Sequence, residues 1–293
     1  MGKTRVAAAL AALAPIEIVS ADSRQIYRGL DIGTAKPSAA ERAAAPYHGL
    51  DLVSPAERYS AGRFAADAAG WIAGIDSRGR QPVVVGGTGF YLRALFEGLF
   101  EEPPLEPERR LRLRAVLAAL PGDALTRWAR RLDAGFRGGG RQRASRAAEV
   151  ALLSGRPLSE LQAAPARPTG LPPWYAVLGL PRETLAARIQ ERTRRMLEAG
   201  LVQEVRSLLV AGLAPDAPGL TGLGYREVVT HLAGDLPAAE LPAAIAAATR
   251  HYAKRQDTWF RHQLKGPALR LDASAEPEAL AREVLAGYRA AAS

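Results

Sequence analysis

Residues 82–98, PVVVGGTGFYLRALFEG, restrict the possible folds more than any other stretch of the chain. A short run of valines reads as a buried strand, two glycines and Thr88 break it, and an apolar helical pattern follows at once. Strands that lead into helices belong to βαβ units, and a parallel sheet built from them is covered by helices on both faces. IEIVSADS (16–23) has the same form, an apolar strand that ends in polar residues. Ligands of open α/β sheets bind beyond the carboxyl ends of the strands, where Asp22 and Thr88 both fall.

The remaining pattern extends this α/β reading. Helices are expected over 3–14 and 60–78, and a strand over WYAVLGL (174–180). ETLAARIQERTRRMLEAGL then reads as a long amphipathic helix. Further helices are expected near 201–212, 224–234 and 238–263, with ALRLD (268–272) as a last strand before a C-terminal helix. Between about 101 and 165 the chain changes character: arginine-rich helices broken by PGD and RGGGR, with no convincing strand. This region reads as a mainly helical insertion between core segments 1–100 and 166–293.

Charge concentrates in that insertion. Residues 109–146 hold eleven arginines against two acids, Asp123 and Asp133, an excess equal to the net charge of +9 on the whole chain. Arginine-rich composition can reflect coding bias or solvated helix faces; the alternative is a surface for a polyanion, whose phosphates would supply salt-sensitive affinity. The absence of cysteine excludes disulfides and thiolate metal sites, and the four histidines have no zinc spacing. No apolar run approaches a membrane span and no signal peptide is visible, so a cytoplasmic protein without membrane attachment is expected.

Several residues are candidates for chemistry. The chain opens MGKTRV, and Gly2, Lys3 and Thr4 match the end of a phosphate-binding G-x-x-x-x-G-K-[ST] loop. The tripeptide alone is equally an ordinary helix start. Arg188 and Arg192, four apart on a helix, can grip one pyrophosphate or lie on a solvated face with Glu191 and Arg195. Asp22 can hold Mg2+ through water, accept a proton or cap the next turn. GGTG brings backbone close to a ligand and Thr88 adds a hydroxyl. HYAKRQDTWFRHQ interleaves Lys254, Arg255 and Arg261 with aromatic residues, which suits either nucleic-acid contact or core packing.

Taken in chain order, SADSRQIYRGLDIGTAKP, VVVGGTGFYLRALFEGL, RQRASRAAEV, RIQERTRRMLEAGLVQEV, GLGYREV and TRHYAKRQDTWFR resemble the tRNA dimethylallyltransferases, or tRNA isopentenyltransferases, over nearly all 293 residues. The resemblance implies a P-loop NTPase-like, nucleotide-binding (ATP-binding) type of core: a parallel sheet flanked by helices, with a helical tRNA-binding insertion. It implies transfer of a dimethylallyl group from dimethylallyl diphosphate to N6 of adenine 37 in the anticodon loop of tRNAs reading codons that begin with U. Magnesium is the implied cofactor and a monomer the expected state.

Carried onto this chain, the resemblance makes Asp22 the general base and Thr88 a contact beside the extruded adenine. Gly2, Lys3 and Thr4 hold diphosphate, with Thr4 on the magnesium, while Arg188 and Arg192 attend the leaving pyrophosphate. Ser23, Arg24, Gln25, Arg110, Gln142, Arg143, Arg146, Gly224, Tyr225, Arg226, Lys254, Arg255, Gln256 and Arg261 correspond to tRNA-contacting positions. FRGGGRQR departs from the family's more ordered lead-in to its Q-R segment. The opening lacks the family's first strand and the first half of its P-loop, so the start is expected to be internal, through a misplaced start codon or truncation. Alternatives are an adenylate isopentenyltransferase acting on free nucleotide, a P-loop kinase, and a tRNA-binding protein without activity.

Overall fold

The computed structural model describes residues 2–100, 105–163 and 170–292. The chain divides into two compact units, one formed by Met1–Phe96 with Gly170–Ser293 and the other by Glu97–Thr169. The insertion limits expected at 101 and 165 lie outside the described residues.

The first unit opens with helix α1 (Lys3–Ala11), then strand β1 (Ile16–Ala21), whose six residues are all buried. Helix α2 (Ala39–Ala44) and the two-residue strand β2 (Tyr47–His48) follow, then α3 (Ala61–Ser77), β3 (Gln81–Gly86) and α4 (Gly89–Phe96). Neither α2 nor β2 was expected. The helix is specified by a capping box, in which Ser38 Oγ accepts from Glu41 N and Glu41 reaches back to Ser38 N. Strands β2, β1 and β3 form one parallel sheet in that order, in register from Ile16 opposite Gln81 to Ala21 opposite Gly86. Asp22 and Thr88 therefore leave the same end of neighbouring strands.

After the insertion the unit resumes with β4 (Tyr175–Gly179), the long helix α9 (Arg182–Glu198), α10 (Leu201–Val210), a 3-10 turn at Pro218–Thr221 and α11 (Tyr225–Leu232). Helix α12 (Leu241–His262), β5 (Ala268–Asp272) and α13 (Pro277–Ala292) complete it. Strands β4 and β5 pair in parallel as a second sheet, so the single sheet read from the sequence is divided.

The division has a structural signature. Each of β3 and β4 keeps one unpaired edge, and every residue of both strands lines one cavity of about 1160 Å³. Its other walls include Val6 and Leu10 of α1, Ile189 of α9 and Phe260 of α12, along with charged residues such as Lys3, Asp257 and Arg270. Unpaired strand edges leave backbone donors and acceptors without ladder partners. A parallel strand placed there would join the two sheets into one.

The second unit is helical: α5 (Pro107–Ala119), α6 (Gly122–Leu132), α7 (Arg141–Ser154) and α8 (Leu158–Ala163). They close on a core of Leu117, Leu125, Ala129, Ala144, Ala147, Ala148 and Val150. Glu149, only 3% exposed, sits beside this core and is clasped by Arg110, Arg114 and Arg146 at 2.7, 2.7 and 2.9 Å. Burial pushes the Glu149 pKa up, but the Arg114 hydrogen bond and the three positive charges outweigh it and hold the group below its ordinary 4.5. Such a carboxylate adds stability at neutral pH that is lost as pH falls below 4.5 toward the depressed value.

Glu149→Gln should therefore loosen this unit. Three arginines would lose their counter-charge, a cost on the order of 2–3 kcal/mol once the solvent reached by the arginine ends is counted. Hydrogen exchange of the α5 and α7 amides would read it as faster exchange at pH 7, with the difference from wild type shrinking at acid pH.

Candidate active site

The site is assembled where β1 and β3 end. The Asp22 carboxylate accepts a hydrogen bond from Arg24 N through Oδ1 at 2.9 Å, so it caps the turn that carries the chain away from the sheet. Oδ2 makes no hydrogen bond among the described residues. Beside it, Thr88 Oγ1 accepts from Ser23 N at 3.1 Å, and Thr88 N donates to Ala21 O at 3.3 Å. These bonds fix Asp22, Ser23 and Thr88 as one constellation spanning two strands.

The glycines around Thr88 are there for packing. A Cβ at Gly86 would fall on the backbone of Ala21, one at Gly87 on Gln256, and one at Gly89 on the ring of Trp259. Their absence lets α12 lie directly against the turn, where Gln256 Nε2 donates to Gly87 O at 2.7 Å. Tyr252, one helical turn earlier on the same face, places its phenol beside Thr88 and Gln256. Burial, then the Asp22 charge, pushes that phenol up, keeping it protonated as a donor near Asp22.

Three charges converge here. Lys3 is half-buried and Arg192 still reaches solvent, yet protein surrounds both on most sides, as happens to cations in the wall of a cleft. Burial lowers the Lys3 pKa from its ordinary 10.5, the Asp22 charge partly restores it, and Arg192 lowers it further. Burial likewise makes Arg192 less basic, offset by Asp22. Residues at positions 3, 22 and 192 thus act on one another electrostatically, although Lys3 lines the 1160 Å³ cavity and Arg192 a different one.

Helix α9 sorts its own arginines. Glu191 takes Arg194 at 2.8 Å and Arg195 at 2.6 Å on the solvent side. Arg192 makes no hydrogen bond among the described residues, and Arg188 donates to Ala273 O at 3.1 Å. Both line a second cavity of about 1140 Å³ with Gly2, Arg5, Lys36 and Arg42. Gly2 has φ 84° and starts α1, whose first free N–H groups come from Lys3 and Thr4.

Other expected contact residues stand elsewhere. Arg24 is tied to Pro218 O at 2.9 Å and Thr221 Oγ1 at 3.2 Å. Arg255 lies over the Tyr252 ring at 5.5 Å, Arg261 pairs with Asp257, and Lys254 is exposed on the same helix. Gln142 and Arg143 are exposed in the second unit, where Arg110 and Arg146 are engaged by Glu149.

Three of the expected contact residues have partners within the chain. Tyr225 is 1% exposed, its hydroxyl on Glu204. Gly224 serves the backbone: φ 84° at the start of α11, with its N–H on Glu227 at 2.7 Å, the residue that also holds Arg226. Gln25, half-buried, accepts from Ser20 Oγ and donates to Thr34 O and Ala35 O. Tyr252 was missed because an aromatic at helical spacing looks like core; its spacing of four from Gln256 and seven from Trp259 is the signal that places it on the site-facing stripe.

Fold and site together define an α/β protein with a carboxylate and a threonine at adjacent strand ends and a cavity lined by Arg5, Arg42, Arg188 and Arg192. The IPP transferase profile matches residues 25–263, and the chain belongs to that family. It is 46% identical over 274 residues to the tRNA dimethylallyltransferase of Halorhodospira halophila, covering 91% of this chain and 88% of the relative. It is 44% identical over 305 residues to that of Methylibium petroleiphilum, covering 99% and 93%. The full-length tRNA isopentenylpyrophosphate transferase of Bacillus halodurans superposes with a TM-score of 0.69 at 30% identity, over 97% of this chain and 92% of that one. A eukaryotic dimethylallyltransferase crystallised acting on tRNA shares the fold, with a TM-score of 0.75 at 24% identity, over 97% of this chain and 74% of that one.

Proposed function

We propose that this chain transfers the dimethylallyl group of dimethylallyl diphosphate to N6 of adenine 37 in the anticodon loop of tRNAs reading codons that begin with U. The juxtaposition of Asp22 and Thr88 at the ends of β1 and β3, in a chain of this family whose Arg188 and Arg192 line a cavity with Gly2, is the observation that supports it most. The adenine N6 attacks the allylic carbon, the carbon–oxygen bond to diphosphate breaks, and the amine proton passes to the free Oδ2 of Asp22. Adenine N6 is a weak nucleophile stacked in its loop, so extrusion and close positioning must supply much of the rate. Thr88 and the Tyr252 phenol flank Asp22 as hydrogen-bonding groups for the extruded base.

Charge accumulates on the departing diphosphate, where Lys3, Arg188, Arg192 and the first amides of α1 offer fixed positive potential. Among the described residues no cluster of three or more metal-ligating side chains occurs. That suits Mg2+ carried mainly by phosphate oxygens, with the Thr4 hydroxyl as the protein's ligand. Bound there, the ion would neutralise charge on the leaving group. The exposed arginines of the second unit and of α12 are the proposed phosphate contacts for tRNA. No helix among the described residues is long and apolar enough to cross a membrane, and a cytoplasmic site of action is proposed.

The depressed Lys3 pKa gives a pH signature. Affinity for diphosphate should fall as pH rises through the Lys3 pKa, at a pH below the ordinary 10.5. Lys3→Arg should flatten that profile, since guanidinium stays charged. Calorimetric titration with inorganic pyrophosphate between pH 7 and 10 measures both.

Acceptor choice tests the proposal against the free-nucleotide alternative. With labelled dimethylallyl diphosphate, kcat/KM should favour an adenine-37 anticodon stem-loop over AMP by at least about a hundredfold, roughly 2.7 kcal/mol. Preference for AMP would make the chain an adenylate prenyltransferase. Binding of the stem-loop without transfer would make it an inactive tRNA-binding protein.

A further inference from the structure

The loop after β1 is held from behind by an unusual pair of acceptors. Glu204 of α10 accepts from Asp31 N at 3.0 Å and from Ile32 N at 2.9 Å through Oε2. Its other oxygen accepts from the Tyr225 hydroxyl at 2.6 Å, and that hydroxyl accepts from Gly33 N at 3.0 Å. Three consecutive amides are thus captured by one phenol–carboxylate unit. The fit is tight, since a Cβ on Gly33 would overlap the Tyr225 ring. Two further ties close the loop. Lys36, its side chain 2% exposed, bridges Asp31 at 2.6 Å and Asp51 at 2.5 Å, while Thr34 Oγ1 donates to Leu30 O at 2.6 Å.

The front of this loop faces the anion pocket. Asp31, Ile32, Ala35, Lys36 and Pro37 form one wall of the 1140 Å³ cavity, and Arg188 and Arg192 line it from α9. Neither Glu204 nor Tyr225 lines it. Glu204 holds the backbone of Asp31 and Ile32, which do line it, and Tyr225 holds Gly33 directly after them.

We propose that Glu204 and Tyr225 are positioning residues for diphosphate: they hold the 31–36 wall at a fixed place relative to Arg188 and Arg192. The inference rests on the functional reading above and extends it to residues that touch no substrate. Glu204 accepts three hydrogen bonds in this role and donates none. Burial, then the Glu204 hydrogen bond, pushes the Tyr225 phenol well above its ordinary range, so it remains a donor.

Tyr225→Phe removes one hydroxyl with no change in ring packing, and Glu204→Gln removes the charge at similar size. Both should be studied in the 293-residue chain and in the same chain with a strand added ahead of Gly2. Amide hydrogen exchange at Asp31, Ile32 and Gly33 should accelerate in each variant. The Kd for inorganic pyrophosphate and the KM for dimethylallyl diphosphate should rise about tenfold, the loss of roughly one charge-assisted hydrogen bond's worth of order. The kcat at saturation and the KM for tRNA should stay within about twofold.

A merely structural role would lower kcat through loss of folded enzyme and leave both KM values alone, which would overturn the proposal. Faster exchange with unchanged pyrophosphate affinity would also overturn it, as would unchanged exchange. Failure of both unsubstituted chains to bind pyrophosphate would instead contradict the functional reading, and the inference would fall with it.

Discussion

Asp22→Asn should reduce allyl transfer by about a hundred- to ten-thousandfold, the usual contribution of a positioned general base. Asparagine keeps the size of the side chain and an oxygen that accepts from Arg24 N, so the turn is preserved. It removes the oxygen that takes the proton. Removing a negative charge near Lys3 and Arg192 does not weaken anion binding, so pyrophosphate affinity at pH 7 should hold or improve. Without Asp22, however, Lys3 loses the one charge that raises its pKa, so the pH at which pyrophosphate affinity declines should move lower still. Filter binding of the stem-loop should remain within about twofold of wild type. An unchanged transfer rate would remove Asp22 as the base.

The second large effect concerns the gap between the sheets. A chain given a short apolar, β-branched strand and a glycine-rich turn ahead of Gly2 should be far more stable than these 293 residues and bind pyrophosphate more tightly. A central strand would satisfy both open edges, with each hydrogen bond worth about 0.5–1.5 kcal/mol net, and would fill the 1160 Å³ cavity with apolar side chains. A gain of even about 3 kcal/mol is large against a total of about 5–15 kcal/mol. For a protein of this size it corresponds to a rise in Tm of roughly 5–10 °C. The turn would also bring more amides to the site beside Gly2 and Lys3. Equal melting and equal turnover of the two chains would show that the cavity needs no strand.

Much of this architecture was legible from the pattern of apolar residues. The strands at 16–21, 81–86, 175–179 and 268–272 carry runs of apolar residues, and the long helices carry a 3.6-residue stripe, so local pattern and burial agree. The pairing of Asp22 with Thr88 was readable for the same reason, since polar residues at parallel strand ends meet at one edge of the sheet. The divided sheet was harder to see: which strands neighbour one another is decided by topology, and no local pattern reports an unfilled edge. Glu191 illustrates another limit. The spacing of Arg188, Arg192 and Arg195 looks uniform, and only packing shows that Glu191 draws Arg195 and Arg194 outward and leaves Arg192 to Asp22 and Lys3. The role of the Tyr225 side chain within the fold was likewise not legible, because its partners Gly33 and Glu204 are distant in sequence and only packing brings them together.

Placement of the label is the most direct test of the central claim. The chain, with and without the added strand, would be incubated with tRNA and isotopically labelled dimethylallyl diphosphate, and the tRNA digested and its nucleosides analysed by mass spectrometry. The account predicts one dimethylallyl group on N6 of adenine 37 for each diphosphate released, and almost none with Asp22→Asn. Diphosphate release with no modified adenine, or modification elsewhere in the tRNA, would contradict it.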